Sequence, residues 1–469
     1  MSGQPPEGID GADDAERDTM DAPVDETKQD EARPADVPES SPLTPPPGLD
    51  KWRPIVLVNL LWLVPGVVGG SEESITDALR AVADLMGSDL NTEGLDLHLA
   101  VLRPFLTAHP DLADRFPLEV LDSDGSDKVR RVVAEQTWLA SAARRVGARV
   151  VHHAGGIVPL RHPGRVVLTL HDLQPLDLPD NFTTAKRSYI RAMAKRSVRA
   201  ADVVCVPSAF TRDRAVELLG APAEKFVVVP WSVASRPPST TPPSAPASPA
   251  STRLASTWPA STLPASTTHL VPEGRYFLFP AITHPHKNHS VLLDAFSALV
   301  RDDPDCDDVR LVLTGREGSA EDEVIRRYFE PGLSGRVMRP GRIPADQLDA
   351  LFRDASAVVF PSRYEGFGLP ILEAMSRGVP VIASRAGSLP ELARPEDLVD
   401  PDDVGEWVAA MRTVLTQPPE SRAARIADGK RIAAGFTAER TASGLIGAYR
   451  RALATDPDRH DRRTTPPTP

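Results

Sequence analysis

Two carboxylates, Glu365 and Glu373, flank a glycine-punctuated turn in EGFGLPILEAMSRGVPVIAS, residues 365–384. Gly366 and Gly368 permit unusual backbone angles and the close approach of another molecule. Pro370 suits a first helical position, Gly378 suits a helix end, and the run from Val379 to Ile382 starts a strand. Glu373 is therefore expected in or near the first helical turn, with Glu365 just before it. The N–H groups of such a turn and the positive end of the helix dipole point the same way, which makes an anion site. Taken without its context, the pair reads equally as a surface salt bridge and a helix N-terminal charge.

The elements that must position these residues follow one grammar. In the first half PIVLVNLL, LDLHLAVL, ARVVHHAG, RVVLTLHDL, DVVCVPS and EKFVVVPWSV read as strands. Helical patterns run from Ser74 to Met86, from Val129 to Val146, and over TTAKRSYIRAMAKRSVRA. In the second half YFLFPAITH, VRLVLTGR, SGRVMRPGRI, ASAVVFPS and VIAS are strands, separated by the helices HSVLLDAFSALVRD, EDEVIRRYFE and ADQLDALFRDA. Strands alternating with helices imply parallel sheets covered on both faces, here two Rossmann-like domains. Ligands of such sheets bind beyond the carboxyl ends of the strands. The polar residues expected there are Gly69 and Gly70, His171 and Asp172, His286 to His289, Gly315 and Arg316, Gly341 and Arg342, and the Glu365–Glu373 stretch. Both halves contribute, so a central cleft between the domains is their natural meeting place.

Composition sets the outer limits. The chain has 469 residues, 41% of them apolar and 25% charged, ordinary for a soluble globular protein. Its 48 prolines are about twice the usual share of roughly 5%. The formal charge of −12 is uneven: residues 1–50 hold fourteen acidic and three basic side chains, a net of −11, leaving −1 for the remainder. The expected organisation is an acidic Pro-rich disordered tail (1–50), an N-terminal Rossmann-like domain (51–234), and a Pro/Ser/Thr-rich disordered linker (235–272). A C-terminal Rossmann-like domain (273–436), a closing helix (437–454) and a second disordered tail (455–469) complete it. The two cysteines, Cys205 and Cys306, form no metal-spaced pair, which fits a reducing compartment. The run IVLVNLLWLV (55–64) is short of the ~20 residues a membrane span needs and reads as a buried strand.

The residues PSRYEGFGLPILEAMSRGVPVIASRAGSLPEL, with HPHKNHSVLLDAF, PGRIPADQLDALFRDASAVVFPS, TLHDLQPL and PSAFTRDRA, resemble the retaining GT-B glycosyltransferases of family 4. The resemblance spans about residues 54–454 and rests on the E-x7-E signature in its long context. It implies that the N-terminal domain (51–234) takes the acceptor, that the C-terminal domain (273–436) takes the nucleotide sugar, and that the closing helix (437–454) returns to the N-terminal domain. It implies that Glu365 lies against donor-sugar hydroxyls and that Glu373 binds the ribose, a good bidentate match for a carboxylate. It further implies that Lys287, with Asn288 beside it, neutralises the diphosphate leaving group. The N–H groups around Gly366, Phe367, Gly368 and Leu369 would hold sugar or pyrophosphate oxygens. Gly69 and Gly70 match a glycine turn that approaches the phosphates, and Arg342 and Ile343 match a loop that contacts the base. His171 matches a histidine near the sugar, with Asp172 orienting it or the acceptor.

One position departs from the pattern. Many relatives carry Gly-Arg five residues before the lysine, whereas this chain has Ala281 and Ile282. Thr283, His284, His286 or Arg363 is the expected substitute for the missing cation. A branch with a PHKNH-like segment shares the change and includes mannosyltransferases, which favours GDP-mannose as donor. The resemblance implies transfer with retention and no essential metal or cofactor. Asp303-Pro304-Asp305 and Asp400-Pro401-Asp402 carry internal prolines and read as turns.

The expected partners are the nucleotide-sugar donor and a sugar, lipid-linked or small-molecule acceptor. The basic helix from Lys186 to Arg199 is a solvated amphipathic face, or a contact with an anionic membrane or a lipid-pyrophosphate acceptor. The expected location is cytoplasmic, with peripheral contact at the inner membrane face. No aromatic-interleaved basic stripe suggests nucleic acid, and no GxGxxG opens the first helix as in a dehydrogenase. Two alternatives share the fold: a sugar-nucleotide epimerase, and a nucleotide-sugar-binding protein without turnover, which the residue change at 282 favours. The intact E-x7-E, Lys287 and His171 favour the transferase.

Overall fold

The computed structural model describes residues 53–87, 94–178, 184–233 and 271–455. The acidic tail, nearly all of the 235–272 linker and the terminal stretch from 456 onward lie outside the described residues.

Seven strands form the first sheet: β1 (Ile55–Asn59), β2 (Asp96–Leu102), β3 (Leu118–Leu121), β4 (Ala148–His153), β5 (Arg165–Thr169), β6 (Val203–Val206) and β7 (Phe226–Val228). They run parallel in the order β3-β2-β1-β4-β5-β6-β7. Six form the second: β8 (Tyr276–Pro280), β9 (Arg310–Thr314), β10 (Val337–Gly341), β11 (Ala357–Phe360), β12 (Val381–Ser384) and β13 (Leu398–Val399). Their order is β10-β9-β8-β11-β12-β13, again parallel. The central strands are continuous apolar runs because both faces are buried: Val56, Leu57 and Val58 of β1 and Ala357, Val358 and Val359 of β11 are fully enclosed. Strand order reverses beside β1 in one sheet and beside β8 in the other. Those are the crevices where ligands of such sheets bind.

Several boundaries differ from the sequence expectation. The helix expected from Ser74 starts at Gly70, because Gly69 takes a left-handed φ of 84° and Glu72 closes the first turn. The helix expected over 129–146 is two, Lys128–Gln136 and Trp138–Arg145, broken at Thr137 where ψ is −64° at a φ of −121°. Strands β3 and β13 and the helices Val404–Thr416 and Pro419–Ala434 were not expected at all. Strand β3 is an edge strand carrying Glu119 and a part-exposed Val120, so it lacks the apolar run that marks a central strand.

The last helix, Ala438–Leu453, lies on the first sheet although it follows the second domain in sequence. Leu445, Ile446 and Tyr449 are buried there, roughly 1.5–3 kcal/mol each. The Tyr449 hydroxyl meets His152 Nδ1 at 3.0 Å, while His152 Nε2 meets Thr169 Oγ1 at 2.7 Å. Burial pushes the His152 pKa down to about 3, so this ring is neutral and both its nitrogens are used. Among the described residues no helix is long and apolar enough to cross a membrane.

Candidate active site

The second domain supplies one wall of the cleft. The helix Leu369–Ser376 starts after Gly368, whose φ of 107° is open only to glycine, with Pro370 in its first turn. Glu373 is the fifth helical residue, one turn deeper than a first-turn position. No acceptor among the described residues takes the N–H groups of Phe367, Gly368 or Leu369. They are the orphan donors of this helix end and face the same side as the dipole. A Cβ on Gly368 would meet Leu389 Cδ2 at 2.6 Å, and one on Gly387 would meet the Glu365 nitrogen at 2.7 Å. Ser388 adds hydrogen bonds from its Oγ to Phe367 O at 2.6 Å and Glu365 O at 3.1 Å. The loop is thus held from behind at backbone contact.

Lys287 Nζ lies 2.5 Å from Glu365 Oε1, and 5.2 Å from the centre of the Phe360 ring. Their side chains are 17% and 12% exposed, so the pair is largely withdrawn from water yet open to the cleft. Asn288 is the one non-glycine residue with positive φ among those described; its Nδ2 donates to Pro401 O at 2.6 Å. That bond orients the turn bearing Lys287 and leaves the Asn288 Oδ1 buried without a partner among the described residues.

The first domain supplies the other wall. His171 Nε2 donates to Ala154 O at 2.8 Å, and its ring stacks on Trp231 at 5.7 Å and tilts against Trp62 at 5.8 Å. Burial lowers the His171 pKa, the Ala154 bond opposing this in part, so Nδ1 is left as a neutral acceptor. Asp172 has an exposed surface, but crowding by protein at the cleft mouth raises its pKa, and the charge of Glu365 adds to this. Gly69 and Gly70 have open space where a Cβ would stand. Their loop is shaped by Glu72, which accepts from the Gly66 N–H at 2.8 Å and meets His109 Nε2 at 3.0 Å.

The two walls touch. A Cβ on Gly366 would sit 2.3 Å from His171 O and 2.9 Å from Asp172 Cβ. Gly366 O accepts from Ser208 Oγ at 2.7 Å and Thr211 Oγ1 at 3.0 Å. The Leu173 N–H donates to the Tyr364 hydroxyl at 3.2 Å, and Gln174 Nε2 meets His286 Nδ1 at 2.7 Å. Glu391 crosses to the helix Ala209–Leu219, accepting from the N–H groups of Ala209 at 2.9 Å and Phe210 at 2.6 Å. The structure therefore brings His171, Asp172, Glu365, Gly366 and Lys287 together. It places Arg342 nearer the first-domain loop, donating to Gly66 O at 3.2 Å, and packs Ile343 partly into the core.

The missing cation at 282 is not supplied by the expected substitutes. Thr283 is fully buried, its hydroxyl bonded to Glu321, which pairs with Arg339 at 3.0 Å. Arg363 turns outward to Asp402 at 2.6 Å. Burial first, then the neighbouring Lys287, lowers the pKa values of His284 and His286 and leaves both rings neutral. The guanidiniums at this edge of the cleft are Arg316, donating to Gly66 O at 2.8 Å and Val67 O at 3.0 Å, and Arg342. Sequence reasoning also missed Trp62, Trp231, Ser208, Thr211, Tyr364 and Glu391. Trp62 and Trp231 did carry a signal, since both follow strand ends. Among the described residues no group of three or more His, Cys, Asp or Glu side chains is placed to hold a metal.

Comparison with known proteins agrees with this fold. The family model for glycosyl transferases group 1 matches residues 267–431, and that for glycosyltransferase family 4 matches residues 86–234. The O-antigen chain mannosyltransferase B of Escherichia coli is 31% identical over 294 residues, 61% of this chain and 70% of that one. The MMP alpha-(1->4)-mannosyltransferase of Mycolicibacterium hassiacum is 37% identical over 131 residues, 27% of this chain and 31% of that one. Among solved structures, Anabaena HepE in complex with UDP and glucose superposes with a TM-score of 0.58 at 19% identity, covering 85% of this chain and 100% of that one. Sucrose-phosphate synthase from Thermosynechococcus elongatus gives 0.60 at 18%, covering 86% and 100%.

Proposed function

We propose, starting from the fact that this chain belongs to the family 4 glycosyltransferases, that it moves a hexosyl group from a nucleotide-diphosphate sugar to an acceptor hydroxyl with retention at the anomeric carbon. GDP-mannose is the favoured donor, a choice supported by the mannosyltransferases among its relatives. The observation that carries the reading is the Lys287–Glu365 pair beside the unpaired N–H groups of Phe367 to Leu369, facing His171 and Asp172.

The donor diphosphate lies on those N–H groups and on Lys287, which gives up part of its pairing with Glu365. Glu365 then accepts sugar hydroxyls and Glu373 accepts ribose hydroxyls. The acceptor oxygen attacks the anomeric carbon on the face from which the diphosphate departs. The carbon–oxygen bond to phosphate breaks, and the departing phosphate oxygen takes the acceptor's proton. Negative charge grows on the phosphate as this happens, so Lys287 acts most strongly in the transition state. The neutral His171 Nδ1 accepts a hydroxyl hydrogen and orients the sugar.

Thermal unfolding with GDP, UDP and ADP tests the donor half. A nucleotide at a hundredfold its dissociation constant adds about 2.7 kcal/mol. A shift with GDP that Glu373→Ala and Lys287→Ala both abolish is the expected result; no shift with any nucleotide overturns the reading. Proton NMR of the transferred sugar tests retention, and an inverted anomer overturns that part alone.

A further inference from the structure

A cavity of about 220 Å³ opens on the first-domain wall, directly beside His171 and Asp172. Ile157, Tyr189, Ile190 and Met193 form an apolar side to it. Tyr189 is 58% exposed and Ile157 39%, so the apolar wall continues outward as a rim in solvent. The volume is below the roughly 300 Å³ at which pockets enclose a whole small ligand. It suits one portion of a larger molecule whose remainder lies along the rim.

The helix Thr184–Ala200 carries this wall. At about 100° per residue, Tyr189, Met193, Ile190 and Ala194 follow one another round one side. Arg187, Arg191 and Lys195 form the adjoining stripe. Among the described residues these three cations have no hydrogen-bond or ion-pair partner. Arg196 of the same helix, by contrast, donates to Pro159 O at 2.7 Å and Val158 O at 2.5 Å, fixing the segment that bears Ile157. Structural arginines here find acceptors, and the stripe beside the cavity does not.

We propose that this cavity is the acceptor subsite, and that it takes the apolar portion of an amphiphilic acceptor whose phosphate is met by Arg187, Arg191 and Lys195. A site for a bare sugar needs polar side chains round the ring. Here the ionisable groups of the cavity besides the rim phenol of Tyr189 are His171 and Asp172, at the end next to Gly366. The nucleophilic hydroxyl of the acceptor belongs at that end, its apolar body against Tyr189 and Met193, and its anionic group on the stripe. The place of this subsite in a reaction rests on the transferase reading, but the binding itself needs no nucleotide.

Isothermal titration of the full chain with n-decyl phosphate below its micellar concentration, n-decyl glucoside and inorganic phosphate tests this. The expected result is decyl phosphate bound at least tenfold tighter than either other probe. Met193→Glu is expected to weaken it at least tenfold. Tyr189→Ser, at a side chain too exposed to unfold the protein, is expected to weaken it severalfold and guards against a folding failure of the first variant. The double change Arg187→Glu with Arg191→Glu is expected to bring decyl phosphate down to the level of decyl glucoside. Inorganic phosphate binding as tightly as decyl phosphate overturns the amphiphile, and so does decyl phosphate binding equally to all variants. Decyl glucoside binding as tightly as decyl phosphate overturns the anionic half. If the titrations come out as expected while no nucleotide binds, the transferase reading fails and the amphiphile site stands.

Discussion

The two walls of the cleft are built to different tolerances. At Gly315 and Gly318 of the second domain protein backbone stands where a Cβ would be: Ala281 O is 2.4 Å from that point at Gly315, and Thr283 O is 2.5 Å from it at Gly318. In the first domain Gly66, Gly69 and Gly70 meet nothing within 4 Å. That loop is held by side chains instead, Glu72 from its own domain and Arg316 and Arg342 from the other. One wall is set by close backbone contact and keeps its shape. The other takes its position from one hydrogen bond of its own domain and from others that cross between the domains.

The largest expected effect lies on the rigid wall. Lys287→Ala removes the cation for the leaving group, and losing one such preorganised donor costs on the order of 10²–10³ in kcat. It also leaves Glu365 unpaired and mostly withdrawn from water. Glu365→Gln in the Lys287→Ala background should recover stability but not kcat. Recovery of both would mean the pair is structural, and the two walls would then differ in stiffness alone.

Gly366→Ala comes next and sharpens the contrast. Its Cβ would press on His171 O, so closure stops short, and a displacement of about 1 Å costs roughly 10²-fold in kcat/KM. The clash is with the opposite domain, so the thermal midpoint should hardly move. Gly70→Ala is the matched control: with open space and a helical position it should keep or raise stability by up to about 1 kcal/mol. If Gly70→Ala also weakens donor binding, the glycine serves ligand approach. If it changes nothing, the glycine turn is only a turn.

How much of this was legible in the sequence follows the same division. The helix HSVLLDAFSALVRD coincides with His289–Asp302, and the buried strands announced themselves as runs of Val, Ile and Leu. The Glu365–Glu373 loop was readable because its glycines and proline act locally. The bonds that close the cleft were not, because Ser208 and Gly366 are 158 residues apart, and Arg316 and Gly66 are 250. Nothing local distinguishes an Arg316 that crosses to the other domain from an Arg363 that turns away to Asp402. Edge strand β3 failed for a related reason, since a half-exposed strand has no apolar run to show.

Acid tests the interior and the cleft alike, by a smaller margin. Burial holds His152 and His286 neutral, each with its pKa pushed down to about 3, against about 6.5 in the unfolded chain. The unfolded state therefore takes the proton first. Stability is complete above about pH 6.5 and is lost as pH falls toward 3. From pH 7.5 to 5 the His152 share is about 1–2 kcal/mol. His152→Gln should flatten the fall in melting temperature over that range, and His286→Gln, with the same shift, should flatten it by a similar amount. An unchanged slope in both variants would mean that burial does not hold these rings neutral.

The smallest effect addresses the closed state most directly. Glu391 supplies a carboxylate from the second domain to the first-turn N–H groups of Ala209 and Phe210, where the helix dipole favours negative charge. Opening the cleft must leave those donors to water, so the bond counts only in the closed form. Removing a capping acceptor costs about 1 kcal/mol, a factor of roughly five in the closed-to-open ratio. Glu391→Ala should therefore lower kcat/KM about fivefold and raise the radius of gyration measured by small-angle scattering, while Glu391→Gln, which keeps an acceptor without the charge, should do about half as much. The melting temperature should stay put in both, because neither domain's core contains this residue. A fall in melting temperature without a change in radius would show that the two walls are one rigid body, and that the first-domain loop is as fixed as the glycine-packed one opposite.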